Sequence, residues 1–198
     1  MNPQFWWYVS RAAGVIAWAA VAASIVWGLA ASTRITAGKP TPAWLIDLHR
    51  YLGGLAVTFT ALHLWGLGAD NYVHFGWSET FVPMTSPWKT GAVAWGIVAF
   101  YLLLAVEVTS LMMRWLPRRL WRGVHYLSFG LFLTGTVHGV AAGTDISNRI
   151  LLVSIVVGIH IVLFLTIVRI LAPRRGGTRP RPVAVPTTET PRRQRVGA

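Results

Sequence analysis

Two pairs of histidines open the chemistry of this sequence. His49 and His63 stand fourteen residues apart, and His125 and His138 stand thirteen apart, each pair inside a long apolar run. An imidazole placed in hydrocarbon is costly unless it has a partner, so an ionisable side chain there points to a site. At the rise of an α-helix the two steps cover about 21 Å and about 19.5 Å, so the pairs match in depth. If the two segments run parallel, each depth offers two imidazoles, His49 with His125 and His63 with His138. Two imidazoles per level suit the axial positions of haem iron, and they predict two b-type haems stacked across a bilayer. The angular positions are less regular. On an ideal helix His63 lies about 40° from His49, but His138 lies about 140° from His125. The second step therefore calls for overwinding, a bend near Gly130 or Gly135, or a different angle of approach to the metal. The chain has no cysteine, which excludes disulfides, iron–sulfur clusters, thiolate-ligated haem and haem attached through a C-x-x-C-H motif.

The elements that must carry these residues are membrane helices. Hydrophobic residues make up 54% of the 198 and charged residues only 12%, about half the charge of a soluble domain. Five segments approach the roughly 20 apolar residues of a membrane span: Phe5–Ala31, Trp44–Ala69, Gly91–Trp115, Arg122–Gly143 and Ile150–Leu171. No period-2 alternation suggests a membrane barrel. The expected fold is all-α, a polytopic bundle of five transmembrane helices in the plasma membrane. The first segment lacks a basic region before it and is too long for a cleaved signal, so it is read as a mature helix.

The net charge of +12 does not point to nucleic acid, because the basic residues gather at helix ends and in the tail. Arg34, Lys39 and Arg50 fall on one side, with Arg114, Arg118, Arg119 and Arg122 and the arginines after Pro173. The other side has Arg11, Lys89 and Arg149, offset by Asp70, Glu79 and Asp145. The positive-inside rule then puts the N-terminus outside and the C-terminus in the cytoplasm. His49 and His125 become the inner pair, His63 and His138 the outer pair. Residues 1–172 form the membrane domain. Residues 173–198 are an Arg-, Pro- and Thr-rich tail that cannot build a core and is expected to be disordered near anionic lipid. The aromatic stretch between Asp70 and Thr90 is expected to lie on the membrane surface or cap the bundle.

Other residues can assist. Arg11 can pair with an outer haem propionate or an anionic acceptor, and Arg50 and Arg122 flank the inner ligands as candidates for the inner propionates. Arg11 has a second reading as a snorkelling interfacial arginine, and Arg50 and Arg122 have one as part of the positive-inside signal. Glu107, near the end of the third segment, pairs with an arginine, stays protonated or relays protons. His160 reads as a hydrogen-bonding core residue, with haem or quinone contact as the alternative. His74, in the outer loop, is a surface residue or helps an acceptor bind. Gly53, Gly54 and Ala56, and Gly130 and Gly135, lie between the paired histidines, where small residues admit either a porphyrin or a neighbouring helix. Trp18, Phe59, Trp65 and Trp95 read as packing rather than electron relays.

The segments LIDLHRYLGGLAVTFTALH (Leu45 to His63) and EVTSLMMRWLPRRLWRGVHYL (Glu107 to Leu127) resemble the ferric reductase transmembrane superfamily, which includes the membrane part of NADPH oxidases. There too the haem helices carry histidine pairs fourteen and thirteen apart, in that order, and the resemblance runs from about Phe5 to Leu171. It implies a dihaem cytochrome b, an oxidoreductase component that carries electrons from a cytoplasmic-side donor to an extracytoplasmic acceptor. The acceptor would be ferric iron, a flavin carrier, oxygen or a partner reductase. A flavin/nicotinamide domain of the oxidase kind is absent from this sequence, so the donor would be a separate flavoprotein or a quinol. Leu67 stands where the oxidases have a further histidine, which argues against superoxide production. Two other readings stay open: a single-haem, quinol-linked anchor of a periplasmic reductase, and a metal or proton transporter.

Overall fold

The computed structural model describes residues 4–32, 43–70, 75–144 and 147–171. Arg34, Lys39, His74, Asp145 and the basic tail lie outside the described residues. The described chain is all-helical: α1 (Phe5–Ser32), α2 (Ala43–Ala69), α3 (Trp77–Phe81), α4 (Thr90–Leu111), α5 (Arg118–His125), α6 (Leu127–Ala142) and α7 (Arg149–Leu171). Among them α1, α2, α4 and α7 are long and apolar enough to cross a membrane.

Four of the five expected spans are thus single long helices, and the other, Arg122–Gly143, is divided. α5 ends at His125 and α6 begins at Leu127. At Tyr126 the backbone is still right-handed (φ −66°, ψ −19°), but the next turn tightens to an i−3 hydrogen bond, Phe129 N–H to Tyr126 O at 3.2 Å. The 16 residues of α6 reach about 24 Å, short of the roughly 30 Å of a hydrocarbon core. α5 before it carries Arg118, Arg119 and Arg122, all exposed. The break falls inside the thirteen-residue step. His125 and His138 sit on different helices, so the 100° period does not run from one to the other.

α1 is the hub, packing on α2, α6 and α7, while α4 packs on α5 and α6. Its inward stripe is small: Ser10, Ala13, Ala17 and Ala20 are buried. Without a hydrophobic force between helices in lipid, such small residues let backbones approach for van der Waals contact. The approach is closest at Gly66 of α2, where a Cβ would lie 2.9 Å from Ser10 Cβ and 3.0 Å from its main chain. At mid-height Ala20, Ala56, Ala99, Leu103 and Leu131 form a core cluster drawn from α1, α2, α4 and α6. Ala22, Ile25, Leu29, Phe132 and Val162 tie α1 to α6 and α7. The remaining faces of α7 are exposed and apolar, including Val153, Val157, Phe164 and Ile170, as a lipid-facing helix requires.

Candidate functional site

The hydrogen bonds fix the direction of the helices and the depth of each histidine. His63 Nδ1–H donates to Ser10 O at 2.8 Å, and His49 Nδ1–H donates to Ser24 O at 2.8 Å. Both acceptors are on α1, which therefore runs antiparallel to α2. His138 Nδ1–H donates to Ala92 O on α4 at 2.8 Å, and His125 Nδ1 lies 3.5 Å from Ser110 Oγ, also on α4. Across the bundle the rings pair as expected. His49 and His125 have ring centres 6.0 Å apart and planes at 75°. His63 and His138 have ring centres 6.2 Å apart and planes at 75°. α2 and the α5–α6 tandem therefore run the same way, yet α2 and α6 make no extended contact. Each is seated on a different neighbour, and their imidazoles meet between them.

Two imidazoles bound on opposite sides of one first-row metal, at about 2 Å per bond, have ring centres about 6 Å apart. Both pairs have that spacing. The tautomer agrees. A main-chain carbonyl can only accept, so Nδ1 of His49, His63 and His138 carries the proton, and the neutral ring keeps a bare lone pair on Nε2. Metal-ligating histidines are oriented this way, with the second nitrogen bonded to a carbonyl or carboxylate that fixes the ring and raises its basicity. Among the described residues no three His, Cys, Asp or Glu side chains gather to hold a bare ion. Each level offers two imidazoles and no further ligand of these types among the described residues.

The cradles around the rings have a signature in the sequence that residue type alone does not assign to a site. Ser10 and Gly14, and Ser24 and Gly28, repeat an S-x-x-x-G motif fourteen residues apart on α1, the same step as the α2 histidines. Each serine makes three contacts with two groups, its carbonyl and its hydroxyl. Its carbonyl accepts from Nδ1, its Oγ lies 3.0 Å from that nitrogen, and its hydroxyl donates to the histidine's own carbonyl, at 3.0 Å for Ser10 and 3.3 Å for Ser24. Each glycine makes room for the ring: a Cβ on Gly14 or Gly28 would come within 3.1 Å of His63 or His49. Gly96 does the same on α4, where a Cβ would lie 2.6 Å from His138 Nδ1. The glycines singled out between the histidines act elsewhere. Gly53 faces the carboxylate of Glu107, Gly54 faces open space, and Gly130 meets Leu102 at 3.6 Å. Gly135 alone of these lines a cavity.

That cavity, about 240 Å³, lies at the His63–His138 level. Thr136, Phe132 and Trp18 floor it; Trp18 stacks on Phe132 (centres 6.1 Å apart) and donates from Nε1 to Thr136 Oγ1 at 2.9 Å. One rim of it is polar and aromatic, with Arg11, Glu79 and Trp88. From Phe75 on, the segment after α2 therefore covers the rim of this cavity and, at Phe81, lies along α4. Trp88 meets Trp7 edge-on at 6.1 Å, and Tyr101 OH donates to Phe81 O at 2.8 Å. Arg11 sits 6.0 Å from the ring centres of both Trp7 and Tyr8. On this rim Glu79 is held below the usual carboxylate range by its own main-chain N–H, then by the Ser78 hydroxyl.

At the other level, the indole N–H groups of Trp27 and Trp121 are buried with no acceptor among the described residues. Trp121 stacks on His125 at 5.1 Å, and Trp27 precedes Gly28. A buried donor without a partner costs about 1–3 kcal/mol, so a ligand's acceptor oxygens would be favoured there. Arg50 and Arg122 are exposed, and Arg50 Nη1 stands 3.9 Å from Asp47 Oδ1 in a solvated i,i+3 pair. His160 is not a core residue: it is exposed, and its Nδ1–H donates to Val156 O on its own helix at 2.7 Å. Trp65 and Trp95 face outward.

Comparison with known proteins leaves the geometry to stand alone: no protein family, curated protein or solved structure matches the chain.

Proposed function

We propose that this chain is a dihaem b-type cytochrome of the ferric reductase-like kind, carrying electrons across a membrane from a cytoplasmic-side donor to an extracytoplasmic acceptor. The observation that carries the reading is the repeated imidazole pair, with ring centres 6.0 and 6.2 Å apart and three of the four Nδ1 atoms fixed on main-chain carbonyls at 2.8 Å. His49 with His125, and His63 with His138, would hold the two haems. Haem, when bound, supplies a one-electron couple whose potential depends on these ligands and the burial around them.

The protein's own residues do the rest. The carbonyls of Ser10, Ser24 and Ala92 hold each ring in the tautomer that presents Nε2. Gly14, Gly28 and Gly96 let the rings lie flat against helix backbone. The cluster around Ala56 keeps water from the space between the two levels. Arg11 offers a fixed positive charge at the outer rim, suited to a propionate or an anionic acceptor. The exposed Arg50, Arg118, Arg119 and Arg122 gather at the opposite end and support a cytoplasmic orientation for it. α5 and α6 end to end would then make the fifth crossing.

The test is spectroscopic. Purified chain should show a b-type spectrum, and His63→Ala or His138→Ala should each remove or open the outer haem while sparing the inner one. Loss of both haems together in either variant, with the helical content intact, contradicts two independent levels.

A further inference from the structure

The four imidazoles are not held alike. His49, His63 and His138 each donate from Nδ1 to a main-chain carbonyl at 2.8 Å, and each lies against a glycine on the partner helix. His125 has neither support. Its Nδ1 is 3.5 Å from Ser110 Oγ, too long for a full-strength hydrogen bond. No glycine among the described residues has its Cβ position against this ring. His125 is also the last residue of an eight-residue helix, and regular helix stops at Tyr126. The contact that steadies the ring is the stack on Trp121, one turn earlier on the same short helix. His125 is only partly buried, and its flanks Arg122, Tyr126 and Leu127 are exposed.

From this asymmetry we infer that His125 is the exchangeable ligand, so that the His49–His125 level binds a small neutral π-acceptor such as carbon monoxide in its place, while the His63–His138 level does not. The inference rests on the two-haem reading above. Loss of a partner on the second nitrogen typically costs 10–100-fold in metal affinity, and His125 is the one ring without such a partner at full strength. The exchange is a simple substitution. The iron–nitrogen bond to His125 breaks, an iron–carbon bond forms, and neither an electron nor a proton changes hands. His49 stays as the opposite ligand, held by Ser24 and Gly28.

The experiment is a carbon monoxide titration of the dithionite-reduced full chain in detergent, read by absorbance. One carbon monoxide per chain, on half of the haem, is expected. None, or two, overturns the inference while leaving two haems in place; a chain that holds no haem removes the two-haem reading as well. His125→Ala assigns the site. Uptake unchanged at one per chain supports it, and a rise to two shows that the first molecule had bound at the outer level. Should that variant fail to accumulate, His63→Ala decides: the wild-type carbon monoxide component must persist, and its disappearance overturns the assignment.

Discussion

Gly96→Ala separates a ring-cradling glycine from one that merely lets helices pack. A Cβ at residue 96 would lie 2.6 Å from His138 Nδ1, 2.7 Å from Cε1 and 2.9 Å from Cγ. Ordinary contact begins near 3.4 Å, so the ring or the helix must give by about 0.8 Å. The ring is not the free end of a flexible chain, because its Nδ1 is bonded to Ala92 O at 2.8 Å, four residues before the glycine on the same helix. Moving it by that amount away from α4 stretches the bond to roughly 3.6 Å, which is no longer a hydrogen bond. The expected consequence is loss of one orienting partner, about 10–100-fold in outer-site haem affinity, or about 1.4–2.7 kcal/mol. Helix propensity works the other way, favouring alanine by about 1 kcal/mol, so the fold itself should not weaken in proportion. The assay is haem titration of the apo-chain by absorbance, with circular dichroism for helical content. Gly54→Ala is the control, since nothing lies within 4 Å of its Cβ position. Unchanged outer-site affinity in Gly96→Ala, or an equal loss in Gly54→Ala, refutes the reasoning.

Three further outcomes follow from the same geometry. Ser10→Ala and Ser24→Ala keep the carbonyl acceptors and remove only the hydroxyls, so each should cost about 1 kcal/mol, less than Gly96→Ala, in the haem affinity of its own level. Lys89 Nζ donates to the last carbonyls of α6, Ala141 O at 3.1 Å and Ala142 O at 3.2 Å. Lys89→Met should loosen that helix end by about 0.5–1 kcal/mol, read as faster hydrogen exchange there and not at the α5 end. Glu79 is held below the usual carboxylate range by bonds to its ionised form. Its contribution to α3 is therefore present at neutral pH and lost as pH falls through and below the ordinary carboxylate range; Trp77 fluorescence should change across that window in wild type and not in Glu79→Gln.

Much of the site was legible in residue spacing, because depth along a helix is linear in sequence. Fourteen and thirteen residues translate directly into matched levels, and the rings do meet as His49 with His125 and His63 with His138. Angle did not translate, since it assumes one unbroken helix, and neither proline nor glycine marks Tyr126 as the place where this one breaks. The α1 cradle was present as Ser10, Gly14, Ser24 and Gly28, but its meaning needs the antiparallel register of α1 on α2, which only contact reveals. Ala92 could not have been found by residue type, because its carbonyl does the work and every residue has one. His160 misled for the opposite reason: a membrane histidine without a partner helix satisfies its Nδ1–H on its own backbone and faces outward.

The number of haems per chain tests the account most directly. Wild-type protein made with ample haem, purified in detergent and quantified by its reduced-minus-oxidised spectrum against protein mass, should hold about two b-type haems. A colourless preparation with native helical content would contradict the account at its centre.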